Sequence, residues 1–128
     1  MFYPKNMRGN LQGWEYMPGA AGTYKAGQLL NASGGALAPV SAASNSTPGY
    51  LCMADVTIAA GDNLPVQRIQ KDTIYVTQLS AEAAEATIGS KLQVSAGGLQ
   101  VDAAAAGTFE VTYIEGTAAG SEVQGRFQ

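Results

Sequence analysis

The chain contains no histidine. One absence thus removes the commonest general base, metal ligand and near-neutral proton switch. Cysteine is almost as scarce. Cys52 stands alone, so no intrachain disulfide can form and no Cys/His set can hold zinc. It sits in the apolar run Tyr50-Leu51-Cys52-Met53 without a histidine or nearby cation to lower its pKa, and is expected to be buried and inert. Charge is thin as well. Charged residues make up 13% of the chain, about half the usual share. With a net charge of −3 there is no basic footprint for nucleic acid. No apolar run approaches the length of a membrane span, and no charged start leads into an apolar signal-peptide core. The expectation is a chain made in a cytoplasm, with no membrane partner.

The remaining polar residues make poor catalysts. Asp55, Asp62 and Asp72 fall at or near turns, where a carboxylate satisfies backbone N–H groups. Asp62-Asn63 offers oxygen ligands but lacks the spaced acidic loop of a calcium site. Glu82 and Glu85 lie three apart without an identifiable facing acid, as a glycosidase would need. Gly34-Gly35 and Gly97-Gly98 neither open a helix nor precede a Lys-Ser/Thr pair, so they are turns rather than phosphate cradles. No catalytic, metal or cofactor residue is expected, and no small-molecule substrate.

What is present divides at about residue 22. Of ten aromatic residues, five lie in the first 24: Phe2, Tyr3, Trp14, Tyr16 and Tyr24. They are interspersed with Pro4, Gly9, Gly13, Pro18, Gly19 and Gly22, a density of breakers that argues against helix or strand. Residues 1–22 therefore read as an extended N-terminal arm and 23–128 as a β domain. Large rings on an irregular segment must leave water somewhere. Either the arm folds back on its own body or another chain covers it. If a partner covers it, Phe2, Tyr3, Trp14, Tyr16 and Met17 are the apolar anchors, and Lys5 and Arg8 pair with acidic groups on that partner.

From Thr23 onward, short alternating runs are separated by Gly, Asn or Pro. Gln28–Leu30 and Ala36–Val40 flank a Gly-Gly turn, and Lys91–Val94 and Leu99–Ala103 flank another. Ser41–Gly49 is a polar loop. Tyr50–Ala54, the alternation of Val56 and Ile58 toward Ala60, Leu64–Ile69, the β-branched Thr73–Leu79 and Glu122–Phe127 read as strands. Thr108–Glu115 alternates so that Phe109, Val111 and Tyr113 share one face and Glu110, Thr112 and Ile114 the other. Ser80–Ala86 is expected to form one short helix of a turn or two, capped by Ser80. The expected fold is mainly β, a small antiparallel β-barrel or β-sandwich.

This pattern resembles small bacteriophage capsid decoration, or cement, proteins. The likeness covers roughly residues 23–128. It rests on Tyr24-Lys-Ala-Gly-Gln-Leu-Leu, Leu37-Ala-Pro-Val, Pro48-Gly-Tyr-Leu, Ala59-Ala-Gly-Asp-Asn-Leu-Pro-Val-Gln-Arg-Ile, Ile88-Gly-Ser-Lys-Leu-Gln-Val and Gly107-Thr-Phe-Glu-Val, followed by Gly120-Ser-Glu-Val-Gln-Gly-Arg-Phe. The resemblance implies a β-barrel or β-tulip core bound outside an icosahedral head, often as trimers. It also implies a terminal arm that seals neighbouring major capsid subunits, in a structural virion protein rather than an enzyme. Two rivals stand beside it. One is a head-fibre or tail module binding a receptor or glycan through the Ser41–Tyr50 loop; the other is a small hydrolase.

Overall fold

The computed structural model describes residues 1–6, 13–104 and 106–128. Its thirteen strands are β1 (Tyr3–Asn6), β2 (Glu15–Pro18), β3 (Gly22–Tyr24), β4 (Leu29–Ser33), β5 (Ala36–Pro39), β6 (Tyr50–Cys52), β7 (Val56–Ile58), β8 (Asn63–Arg68), β9 (Ile74–Gln78), β10 (Lys91–Val94), β11 (Val101–Asp102), β12 (Phe109–Ile114) and β13 (Glu122–Phe127). They form a six-stranded sheet in the order β1-β9-β13-β12-β10-β11, a five-stranded sheet β2-β8-β6-β4-β5 and a two-stranded ribbon β3-β7. All pairings between these strands are antiparallel.

The five-stranded sheet is buried on both faces, because successive strand residues point to opposite sides. Leu29 and Leu51 join a core that includes Phe2, Tyr75, Val111, Val123 and Phe127 of the six-stranded sheet and its margin. Their chain neighbours Leu30 and Cys52 point the other way, into a second core with Tyr24, Ile58, Leu64 and Val66. The two sheets thus pack like a sandwich, with the ribbon covering the sandwich's far side.

Single parallel bridges, Leu79 to Val101 and Gly19 to Leu37, draw distant strands of each sheet together. Neither sheet is a closed barrel, so of the two expected architectures the structure favours the sandwich. Both Gly-Gly hairpins form. Gly34 and Gly35 have φ of 62° and 85°, which places two left-handed residues between β4 and β5, as a tight hairpin requires. The second turn is tied to the opposite sheet: Leu29 N donates to Gly98 O at 2.8 Å and Gln28 Nε2 to Gly97 O at 2.8 Å.

Three expectations are corrected. The helix over Ser80–Ala86 is missing, and no helix occurs among the described residues. Seven residues are too few to offset helix nucleation, and the backbone donors find other partners. Ser80 N bonds Val101 O at 3.0 Å and Ala83 N bonds Thr117 O at 2.8 Å. Ala83 still plugs the first core, 3% exposed.

The clean alternation of β12 also fails. Val111 pairs with Gly125 and Tyr113 with Gln124, which leaves Thr112 as a bulge. One extra residue reverses every side chain after it. Tyr113 therefore turns out to solvent while Ile114 packs on the core.

The third correction concerns the aromatic segment, which is not an extended arm throughout. Tyr3–Asn6 is the outer strand of the six-stranded sheet, and Glu15–Pro18 is the outer strand of the five-stranded one. Pro4 and Pro18 sit where proline is tolerated, on edge strands with no ladder partner on one side.

Candidate functional site

The seven residues expected to meet a partner separate into distinct environments. Phe2 is 1% exposed and lies in this chain's own core, its ring 5.9 Å from that of Phe109 and 6.1 Å from that of Phe127. Its N–H donates to Gly27 O at 2.8 Å. The fold-back alternative therefore accounts for Phe2, which offers nothing to a second chain. Met17 also turns inward and packs on the second core. Arg8 lies outside the described residues.

Lys5 falls at a register shift between Pro4 and Asn6, and its Nζ donates to Gln124 Oε1 at 2.8 Å. Its charge is engaged by a neutral amide and stays at the surface.

Tyr3, Trp14 and Tyr16 do present their rings to solvent, at 53%, 51% and 66% exposure. Tyr16 lies opposite Pro65 across the β2-β8 pair. Pro65 O accepts from Met53 N at 2.9 Å. Met53 in turn lines an apolar groove of about 230 Å³ together with Met1, Pro4 and Leu51. The exposed Tyr16 is thus one strand away from a groove whose rim includes β1. Behind it, on the other face of β2, Glu15 holds Arg68: Nε to Oε2 is 2.8 Å. The Arg68 guanidinium also lies 5.9 Å from the centre of the Tyr50 ring. Tyr50, which ends the Ser41–Tyr50 loop and opens β6, is half-buried and packs on the second core.

Cys52, Asp55 and Asp62 are engaged structurally. Cys52 is fully buried, its Sγ donates to Ala54 O at 3.3 Å, and burial pushes its thiol pKa up, so the nucleophilic thiolate is disfavoured. Asp55 Oδ1 accepts from Ala26 N at 2.8 Å and Asp62 Oδ2 from Ala59 N at 3.1 Å, the turn-holding role their positions suggested. Glu82, Glu85 and Lys91 line a cavity of about 440 Å³ with several alanines. Among the described residues no three His, Cys, Asp or Glu side chains cluster as metal ligands would.

Sequence reasoning missed Tyr113, 46% exposed, and the polar stripe beside it. Alternation places Tyr113 inside, and a bulge at Thr112 has no glycine to announce it. The chain matches no protein-family model and no curated protein.

Proposed function

We propose that this chain is a non-enzymatic structural protein that binds the outside of an assembled phage capsid and cements neighbouring major capsid subunits. The observation that carries the reading is the exposure of Tyr16 on an edge strand that is itself locked into a sheet, with the exposed Trp14 directly before that strand. Rings held on a rigid strand lose little freedom on docking, and tyrosine and tryptophan dominate interface hot spots. The low charge of the whole chain suits close packing against many identical neighbours. In this reading Tyr3, Trp14 and Tyr16 enter the capsid surface beside the Met53 groove, and assembly as a trimer multiplies the contacts.

The test uses purified shells lacking the protein. Removing residues 1–22 would also take Phe2 out of the core, so point substitutions are the better probe. A Trp14→Ala, Tyr16→Ala double variant should remain folded and bind shells at least about a hundred-fold more weakly, as loss of two hot-spot side chains implies. Unchanged binding by that folded variant would sink the proposal.

A further inference from the structure

The outer face of the six-stranded sheet carries one row that spans four strands. Tyr3 is paired with Val76, Val76 with Gln124, and Gln124 with Tyr113. Residues directly opposite in adjacent strands point to the same face. All four therefore project away from the core that holds Tyr75 and Val111. Val76 belongs to neither hydrophobic core, yet it is only 2% exposed. It forms the floor of the row, and the two tyrosines stand at its ends. With strands about 4.8 Å apart, the ends are separated by about 14 Å.

Both tyrosines adjoin backbone irregularities. The register shifts between Pro4 and Asn6, just after Tyr3, and again between Val111 and Tyr113. Bulges re-aim side chains and gather beside functional sites. Here the second one turns Tyr113 from the core to the surface.

Between the rings the surface is polar and ordered. β13 sends Val123, Gly125 and Phe127 inward, so Glu122, Gln124 and Arg126 face out in one line. Gln124 is fixed from both sides. Its Oε1 accepts from Lys5 Nζ at 2.8 Å and its Nε2 donates to Glu122 Oε2 at 3.0 Å. Arg126 Nε is buried without a partner among the described residues, and Glu110 and Lys91 continue the Arg126 row across the sheet.

We infer that this Tyr3–Val76–Gln124–Tyr113 row is a shallow binding site for a neutral oligosaccharide chain lying across the strands. A sugar ring has an apolar C–H face, which suits a tyrosine ring, and a rim of hydroxyls that both donate and accept. The row offers those two chemistries in turn: ring, bonded amide, ring. A protein partner would need a contiguous dry centre, and the fixed Lys5–Gln124–Glu122 network interrupts it. A polyanion would need a field of one sign, whereas Lys5, Lys91 and Arg126 alternate with Glu110 and Glu122. The row shares Tyr3 with the capsid proposal but neither Trp14 nor Tyr16, and the substitutions that test it, at Tyr113 and Gln124, lie outside that proposal.

The test is affinity electrophoresis of the full chain through gels containing barley β-glucan, xylan, galactomannan or dextran. At least one should retard the protein. Tyr113→Ala and Gln124→Ala should each weaken that retardation about ten-fold, the loss of a single stacking or hydrogen-bonding contact. Tyr113→Phe should largely keep it, and Trp14→Ala should leave it unchanged. Absence of retardation in every gel overturns the inference, as does retardation that Tyr113→Ala leaves intact. A change in sedimentation coefficient on Tyr113→Ala also overturns it, because the face would then be covered by a second copy.

Discussion

The ring of Phe2 meets the ring of Phe109 edge-on, centroids 5.9 Å apart and planes at 81°. Around the pair, Phe127 lies 5.1 Å from Phe109, and Tyr75 lies 5.7 Å from Phe127. Four rings from β9, β12, β13 and the residue before β1 thus form one cluster at the centre of the larger core. Phe2→Ala should cost about 3–5 kcal/mol, the range for emptying a buried aromatic site. Urea denaturation followed by tryptophan fluorescence measures it. A loss under about 1 kcal/mol would show that the segment is not part of the body.

Gly125 faces the core in the middle of β13, opposite Val111. A Cβ there would strike the Glu110 carbonyl oxygen and come within 2.7 Å of the Phe109 ring. The backbone carbonyl cannot retreat without breaking the β12-β13 ladder. Gly125→Ala should therefore destabilise by about 1–3 kcal/mol, the usual penalty of overpacking. Gly125 is not among the glycines with positive φ, so its penalty is steric, whereas the same substitution at Gly120, where a Cβ meets nothing but φ is 86°, reports backbone strain alone.

The fold should weaken in alkali. Burial pushes up the pKa of Cys52 and of Tyr75, and raises that of Tyr24, to which Cys52 adds. Each group binds its proton more tightly folded than unfolded. The stability this contributes is complete below the ordinary values of 9.0 for the thiol and 10.0 for the phenols, and is lost as pH rises through the raised ones. Urea midpoints should fall between about pH 8 and about pH 10.5. Cys52→Ala should flatten the early part of that decline, and a pH-independent midpoint would contradict the assignment.

Asp102 has a buried Oδ1 with no hydrogen-bond partner among the described residues, and desolvation raises its pKa above the ordinary 3.8. A raised carboxyl favours the protonated form in the fold, so its ionised form destabilises the protein at neutral pH. Asp102→Asn should raise the urea midpoint at pH 7, and the gain should vanish as pH falls below 3.8, where both states of the wild type are protonated. Destabilisation at pH 7 would mean that Asp102 has an unseen partner.

Local chemistry in the sequence is enough to place much of this fold. Gly34-Gly35 and Gly97-Gly98 mark their hairpins because only glycine enters the left-handed region so readily. The β-branched and aromatic stretch Ile74–Gln78 and the alternation of Glu122–Phe127 mark strands that the structure contains. Non-local features are less legible. Nothing near Tyr3 or Pro4 says that β9, some seventy residues on, will accept them as a sheet edge. Ser80–Ala86 has helical propensity, but its donors are claimed by Val101 and Thr117. The Tyr3–Tyr113 row depends on three separate registers and a bulge, and no window of sequence contains them together. Phe2 and Tyr16 read alike in the sequence, both rings among prolines and glycines, and only the fold separates the buried one from the exposed one.

The contact between Phe2 and Phe127 also governs time. The two rings lie 6.1 Å apart although 125 positions separate them in the chain. β1 and β13 flank β9 on either side, so the larger core closes only after both distant segments have found the same strand. Loop-closure entropy of that size must be offset before any long-range contact is gained. Folding on the order of milliseconds to seconds, rather than microseconds, follows from such a topology. During translation Phe2 must wait for Phe127, and until then its ring and the edge of β9 remain open to unwanted partners.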